Sequence, residues 1–199
     1  MFRDITDFTK SIKPKKIAVI DIETTGLDPE YDLIVEIGIV ELDLETGLIK
    51  VIFNSLVKES SFTERFRDSW IFKNSNLTFE EVEKAPTFDE VAQELQAIFN
   101  KYHVTAFNKL FDLSFLKTRN FKIPKELPCI MLTATNHVKI KSFWKEDLED
   151  YKWPKVEEAW NFFFPNINYK EAHRAVDDVF HEAKILFKMY KLGYFQFFQ

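Results

Sequence analysis

The chain has a single cysteine, Cys129, among its 199 residues, which excludes an internal disulfide. Its opening stretch, residues 1–16, lacks the apolar run of a secretory signal, and no apolar run elsewhere is long enough to span a bilayer. The expectation is therefore a cytoplasmic protein with no membrane partner. A basic charge balance is missing too: 27 Lys and Arg face 32 Asp and Glu, a net charge of −5. Proteins that coat nucleic acid by bulk electrostatics are net basic and displace counterions, so any contact with nucleic acid here has to be local. Glycine is scarce, four residues against 22 phenylalanines, and core packing accounts for most of those rings.

What is present suits one domain. With 46% apolar and 30% charged residues, a chain of this length buries one substantial core, placed here at residues 17–199 behind an N-terminal extension, residues 1–16. Ile17–Ile20 reads as a short buried strand ending in carboxylates. Leu33–Leu42 and Ile49–Val57 flank the turn Glu45-Thr46-Gly47 and suggest a hairpin. Thr87 with Glu90 forms a capping-box signature, and Val91, Leu95, Ile98 and Phe99 recur at helical spacing, predicting a helix over Phe88–Lys101. Val104–Phe107 is a second short strand, Phe111–Arg119 a helix, and Pro128–Leu132 a third strand or a strand-to-helix junction. Helices follow over Val156–Phe164, stopped by Pro165, and over Ala175–Tyr190. Alternation of this kind favours an α/β layer architecture, in which ligands sit beyond the carboxyl ends of strands.

Three segments carry candidate chemistry. In Asp21-Ile22-Glu23-Thr24-Thr25-Gly26, Asp21 and Glu23 lie two apart at the end of an apolar strand and point to one face. Adjacent carboxylates repel unless a cation neutralises them, and hard oxygen ligands suit magnesium or manganese. The structural alternative is a strand-ending turn with Glu23 in water; the Thr-Thr-Gly turn is compatible with both and leaves room for a ligand. In Asn108-Lys109-Leu110-Phe111-Asp112, Asp112 opens a helix, a place where Asp is also favoured as a cap and by the macrodipole. The third segment, His173-Arg174-Ala175-Val176-Asp177-Asp178, sets an imidazole, the side chain that ordinarily titrates near neutrality, beside two carboxylates. Helical phase groups Asp177 with His181, Lys184 and Lys188 on a polar stripe opposite Val176, Val179, Phe180, Ala183 and Phe187, which are expected to be buried. Asp178 falls at the margin with Ala175, Glu182, Ile185 and Met189 and is the better ligand candidate. His173 would diverge from it by about 140° inside one helix, so it belongs before or at the first turn.

These three segments, in this order, resemble the exonuclease motifs of the DnaQ-like (DEDDh) family, which includes polymerase proofreading subunits, ribonuclease T and oligoribonuclease. The resemblance runs from about Ile17 to Phe187 and takes in Glu36-Ile37-Gly38 and Ala172-His173 between the motifs. It implies a ribonuclease H-like α/β fold, a central mixed five-stranded sheet flanked by helices. It also implies a 3′–5′ exonuclease whose metal ligands are Asp21, Glu23, Asp112 and Asp178, holding two divalent cations, Mg2+ or Mn2+, with His173 as general base. The tyrosine variant of the family would need Tyr where Arg174 stands. By the same resemblance Thr24, Thr25 and Leu27 would lie beside the terminal nucleotide, and Asn108 with Phe111 or Phe115 beside the penultimate one. The partner is then a single-stranded DNA or RNA 3′ end, DNA favoured, with nucleoside monophosphates released. Two positions depart from the family: Phe107, where many relatives carry histidine, and Cys129, where a proofreading subunit commonly has aspartate. Lys139, Lys141 and Lys145, interleaved with Phe143 and Trp144, are a candidate single-strand track or a solvated loop. An RNA-trimming exoribonuclease and a catalytically silent nucleic-acid-binding module are the alternative readings.

Overall fold

The computed structural model describes residues 13–141 and 151–197. Its elements run in chain order β1 (Lys16–Thr24), β2 (Ile34–Asp43), β3 (Ile49–Leu56), a 3-10 turn (Glu64–Phe66), α1 (Trp70–Asn74), α2 (Phe79–Glu83) and α3 (Phe88–Lys101). They continue with β4 (Val104–Thr105), α4 (Lys109–Thr118), α5 (Ile130–Val138), α6 (Val156–Phe163) and α7 (Ala175–Lys191).

The sheet order is β3-β2-β1-β4. β1 pairs antiparallel with β2 and parallel with β4, so the sheet is mixed. The inner strand β1 is apolar on both faces from Ile17 to Ile20, as a strand covered on both sides has to be. Alternation sends Ile17 and Val19 into a cluster with α5, α6 and α7, and Ala18, Ile20 and Ile22 into a second cluster with α3 and α4. The result is a helix–sheet–helix sandwich.

A five-stranded sheet was expected, and four strands are found among the described residues. The stretch Pro124–Pro128 occupies the fifth position beside β4. There the Val104 N–H donates to the Lys125 carbonyl at 2.8 Å, the Leu127 N–H donates to the Val104 carbonyl at 2.8 Å, and Glu126 forms a single bridge with Val104. Prolines at both ends have no N–H to extend a ladder, which limits the pairing to that bridge. Pro128–Leu132 is correspondingly a junction, with Cys129 capping α5.

The sequence pattern missed α1 and α2, each five residues long and too short to show a period. They are held by a third cluster in which Phe62 stacks on Phe79 with centroids 4.6 Å apart, and α2 starts on a Thr78–Glu81 capping box. The expected buried face of α7 is also corrected. Val179 and Ala183 are buried, whereas Val176, Phe180 and Phe187 are half-buried and the stripe Ala175, Asp178, Glu182, Ile185, Met189 is covered. The cause is that α7 packs on β1 and β2 and also against α5 and α6, so its covered arc extends past the apolar side chains. Of the candidate basic and aromatic track, Phe143, Trp144 and Lys145 lie outside the described residues, as do residues 1–12 of the N-terminal extension. Lys139 ends α5 in the left-handed region at φ 54°. No helix of the described residues is long and apolar enough to cross a membrane.

Candidate active site

The site grows from the carboxyl end of β1. β4 pairs only with Ala18 and Val19, so beyond that register one edge of β1 has no strand neighbour among the described residues. Asp112, in the first turn of α4, lines one cleft with Asp21, Ile22 and Glu23 of this stretch. Asp21 and Glu23 flank Ile22 and share the face of Ile17 and Val19, the α7 side of the sheet. Asp112 therefore reaches the same place from a helix that packs on the opposite face.

The start of α7 supplies the rest. Asp178 Oδ1 accepts hydrogen bonds from the Tyr169 hydroxyl at 2.6 Å and the Ala172 N–H at 3.1 Å, while Oδ2 accepts from the Arg174 N–H at 3.0 Å. These bonds wrap residues 169–174 around one carboxylate. At the middle of the wrap His173 sits at φ 52°, a left-handed conformation that costs a residue with a Cβ about 1–2 kcal/mol. In that conformation His173 lies outside the helix, with one ligand atom each of Glu23, His173 and Asp178 all within 4.8 Å of one another. Trp70 of α1 meets the His173 ring edge to face, centroids 4.8 Å apart.

Arg174 fixes the helix to the sheet. Its Nε donates to both oxygens of Glu36, at 3.0 and 3.2 Å, its Nη2 donates at 2.9 Å, and the Ala175 N–H adds a further bond at 3.2 Å. Glu36 is 1% exposed and lies opposite Glu23 in the β1–β2 register. Two residues on, a Cβ at Gly38 would lie 2.5 Å from the Ala175 carbonyl carbon, so only glycine lets the first turn of α7 rest on β2. The segment Glu36-Ile37-Gly38 is thus the dock for the turn that carries His173 and Asp178.

Electrostatically the place is severe. Asp21, Glu23, Asp112 and Glu182 line one cleft of about 450 Å³ with His173 and Glu171. Burial first, then Glu182 and Glu23, hold the Asp21 carboxyl well above the usual range, and burial followed by Asp178 and Glu36 does the same to Glu23. Burial pushes Asp112 up to about 8 against the opposing hydrogen bonds, and burial with Asp178 beside it pushes Glu171 up to about 7. A cleft built this way favours protons or cations and repels phosphate.

The other expected contacts divide. Leu27 is 83% exposed and Asn108 is exposed at the N-cap of α4. Phe111 is half-buried and lines the cleft. Thr24 donates its hydroxyl to the Gly26 carbonyl at 2.6 Å. Two expectations are corrected. Thr25 is buried, its hydroxyl oxygen accepting from the Leu33 N–H at 2.9 Å and facing Asp32 at 3.3 Å, so its polar group is spent inside the turn. Phe115 is fully buried, with its ring 5.0 Å from that of Phe111; it backs Phe111 and does not face a ligand. Asp177 is exposed and Asp178 is 1% exposed. Phe107 is buried in the cleft wall, and its carbonyl accepts from the Cys129 thiol at 3.0 Å, so both departures from the family pattern face each other.

Sequence reasoning missed Glu171, Tyr169 and Glu182. For the first two no sequence signal exists, because they come from an irregular stretch. Glu182 stands four residues after Asp178, one turn along the same face, and that spacing was readable.

Residues 18–186 match the RNase T exonuclease family. The chain belongs to this exonuclease family. Its members of this kind are the DEDDh exonucleases, which use divalent metal ions. Among curated proteins the exonuclease chain is 28% identical over 176 residues to a PolC-type DNA polymerase III of Caldanaerobacter subterraneus subsp. tengcongensis. That match covers 87% of this chain and 11% of the polymerase. It is also 28% identical over 180 residues to the 3′-5′ exonuclease DinG of Staphylococcus haemolyticus, covering 87% of this chain and 18% of that protein. The chain thus spans under a fifth of the length of these relatives. Among solved structures the nuclease domain of 3′hExo, a DEDDh family member, bound to rAMP, superposes with a TM-score of 0.65 at 19% identity, covering 93% of this chain and 96% of that one. E. coli exonuclease I in complex with a dA16 oligonucleotide gives 0.64 at 16% identity, covering 89% and 41%. Both share the fold.

Proposed function

We propose that this exonuclease domain hydrolyses phosphodiester bonds at the 3′ end of a single strand, DNA favoured, and releases nucleoside monophosphates. The observation that carries the reading is the convergence of Glu23, His173 and Asp178 within 4.8 Å at the end of β1, beside the half-buried Asp21 and the buried Asp112. The donor set fits hard divalent cations: carboxylate oxygens from separate elements, crowded so that they stay ionised only with a counter-charge. Two such cations, Mg2+ or Mn2+, would supply an activated water and stabilise the leaving 3′ oxygen.

Asp21, Glu23, Asp112 and Asp178 would hold these cations, Glu23 and Asp178 on the His173 side, Asp112 on the other and Asp21 contributing to both. His173 accepts the proton of water as the water oxygen bonds to phosphorus. The P–O3′ bond breaks, and the shortened strand keeps a 3′-hydroxyl that takes its proton from solvent. An imidazole does this near neutral pH, whereas Lys or Arg would need a large shift. Tyr169 and the 172 and 174 amides keep Asp178 oriented, and Trp70 restrains the His173 ring from behind. Phe111 offers a half-buried ring for stacking a base, with Leu27, Thr24 and Asn108 around the strand end.

An acidic chain then handles a polyanion only with its cations in place. The solved structure of exonuclease I with dA16 supports a single-stranded DNA substrate, and that of 3′hExo with rAMP supports RNA. The test is to incubate the protein with 5′-labelled single-stranded DNA, duplex DNA and RNA, in magnesium, manganese or chelator. A metal-dependent ladder, fastest on single-stranded DNA, is expected; a fastest ladder on RNA would establish the exoribonuclease reading instead, and no ladder on any strand would sink the enzyme.

A further inference from the structure

We infer that Glu182 is a fifth carboxylate of this metal site, holding the cation on the Asp21–Asp112 side of the cleft; the inference rests on the metal-dependent reading above. Glu182 is 3% exposed and lines the cleft with Asp21 and Asp112. Its Oε2 has no hydrogen-bond partner, alone among buried side-chain oxygens and nitrogens of the described residues. Leaving a buried polar atom unpaired is destabilising, the more so if it is charged, so a purely structural role gives no reason for a glutamate. Among the described residues the charged groups acting on Glu182 are Asp112, Asp178 and Glu171, all acids, and no cationic side chain pairs with it.

The two sides of the cleft differ in donor type. Glu23, His173 and Asp178 offer two carboxylates and a ring nitrogen, whereas Asp21, Asp112 and Glu182 are oxygen donors only. An all-oxygen set suits Mg2+ or Mn2+. Without Glu182 the second cation would have Asp112 and a shared Asp21; with it, the ion gains a third protein ligand from α7, the helix that also carries Asp178. One rigid helix then ties both cations together, at positions one turn apart.

The test uses the full chain stripped of metal. Mn2+ is titrated calorimetrically into wild type, Glu182→Gln and Asp21→Asn, and each is melted in chelator. Glu182→Gln should weaken one binding event by at least about tenfold, leave the other near wild type, and melt in chelator no lower than wild type, because a neutral amide replaces an uncompensated acid. Glu182→Asp, which keeps the charge on a shorter stem, should fall between the two in affinity and serves if the glutamine variant fails to fold. Unchanged Mn2+ affinities in the Glu182 variants alongside a weakened Asp21→Asn would overturn the inference alone. Unchanged affinities in Asp21→Asn as well would overturn the metal-site reading itself.

Discussion

At the scale of single residues, His173 concentrates the account. Its backbone is held left-handed at φ 52° by amides on either side that both bond Asp178, so the ring's position depends on the carboxylate beside it. The side chain itself is half-buried and outside α7. Removing it should therefore leave the fold almost untouched: His173→Ala is expected to melt within a few degrees of wild type. Turnover, by contrast, should drop about 10²–10⁴-fold, the range for a general base. A loss smaller than about tenfold in steady-state kcat would remove His173 from that role. Phe111 and Phe115 show the limit of reading single positions. Both rings stand on α4, four residues apart, and only packing reveals that one faces the cleft while the other is sealed beneath it.

At the scale of elements, the dock between β2 and α7 governs precision. Gly38 admits the first turn of α7, and Glu36 grips Arg174 from the same strand. Gly38→Ala puts a methyl 2.5 Å from the Ala175 carbonyl carbon. The helix has to shift, which should destabilise the protein by about 1–3 kcal/mol in chemical denaturation. Because His173 precedes that turn, kcat should fall further than the stability loss alone explains; unchanged kcat would show that α7 is not positioned through Gly38. Helical phase made part of this legible beforehand: it separated Asp178 from Asp177 and set the start of α7 after His173. It did not give the helix's covered arc, because that depends on α5 and α6 packing beside the sheet. Nor did it give the missing fifth strand, since pairing strength at residues 124–128 is set by two prolines and a neighbour only two residues long. The same phase put Glu182 next to Asp178, but a polar residue on a helix margin looks solvated until the packing is known.

At the scale of the molecule, the cleft couples stability to protons and metal. Asp21, Glu23 and Glu182 are held above the usual carboxylate range, Asp112 reaches about 8 and Glu171 about 7. With folded pKa values above unfolded ones, the native state binds more protons than the unfolded chain over about pH 4–8, so metal-free stability falls as pH rises through that window. Melting in chelator should be highest near the acid end of that window, above general acid denaturation, and decline toward about pH 8. Saturating Mn2+ should flatten the decline, since binding a cation releases those protons; a metal-free melting temperature that climbs across the same range would contradict the burial of these groups. On the proposed function, the same coupling would let a molecule of net charge −5 act on a polyanion, because bound cations would reverse the charge of the cleft. The most direct measurement uses a single-stranded DNA labelled on the phosphate of its 3′-terminal nucleotide. In Mg2+ or Mn2+ the label is expected to appear first as a nucleoside monophosphate, and in chelator to stay on the strand. Label retained in shortened oligonucleotides, or released equally without metal, would contradict the account.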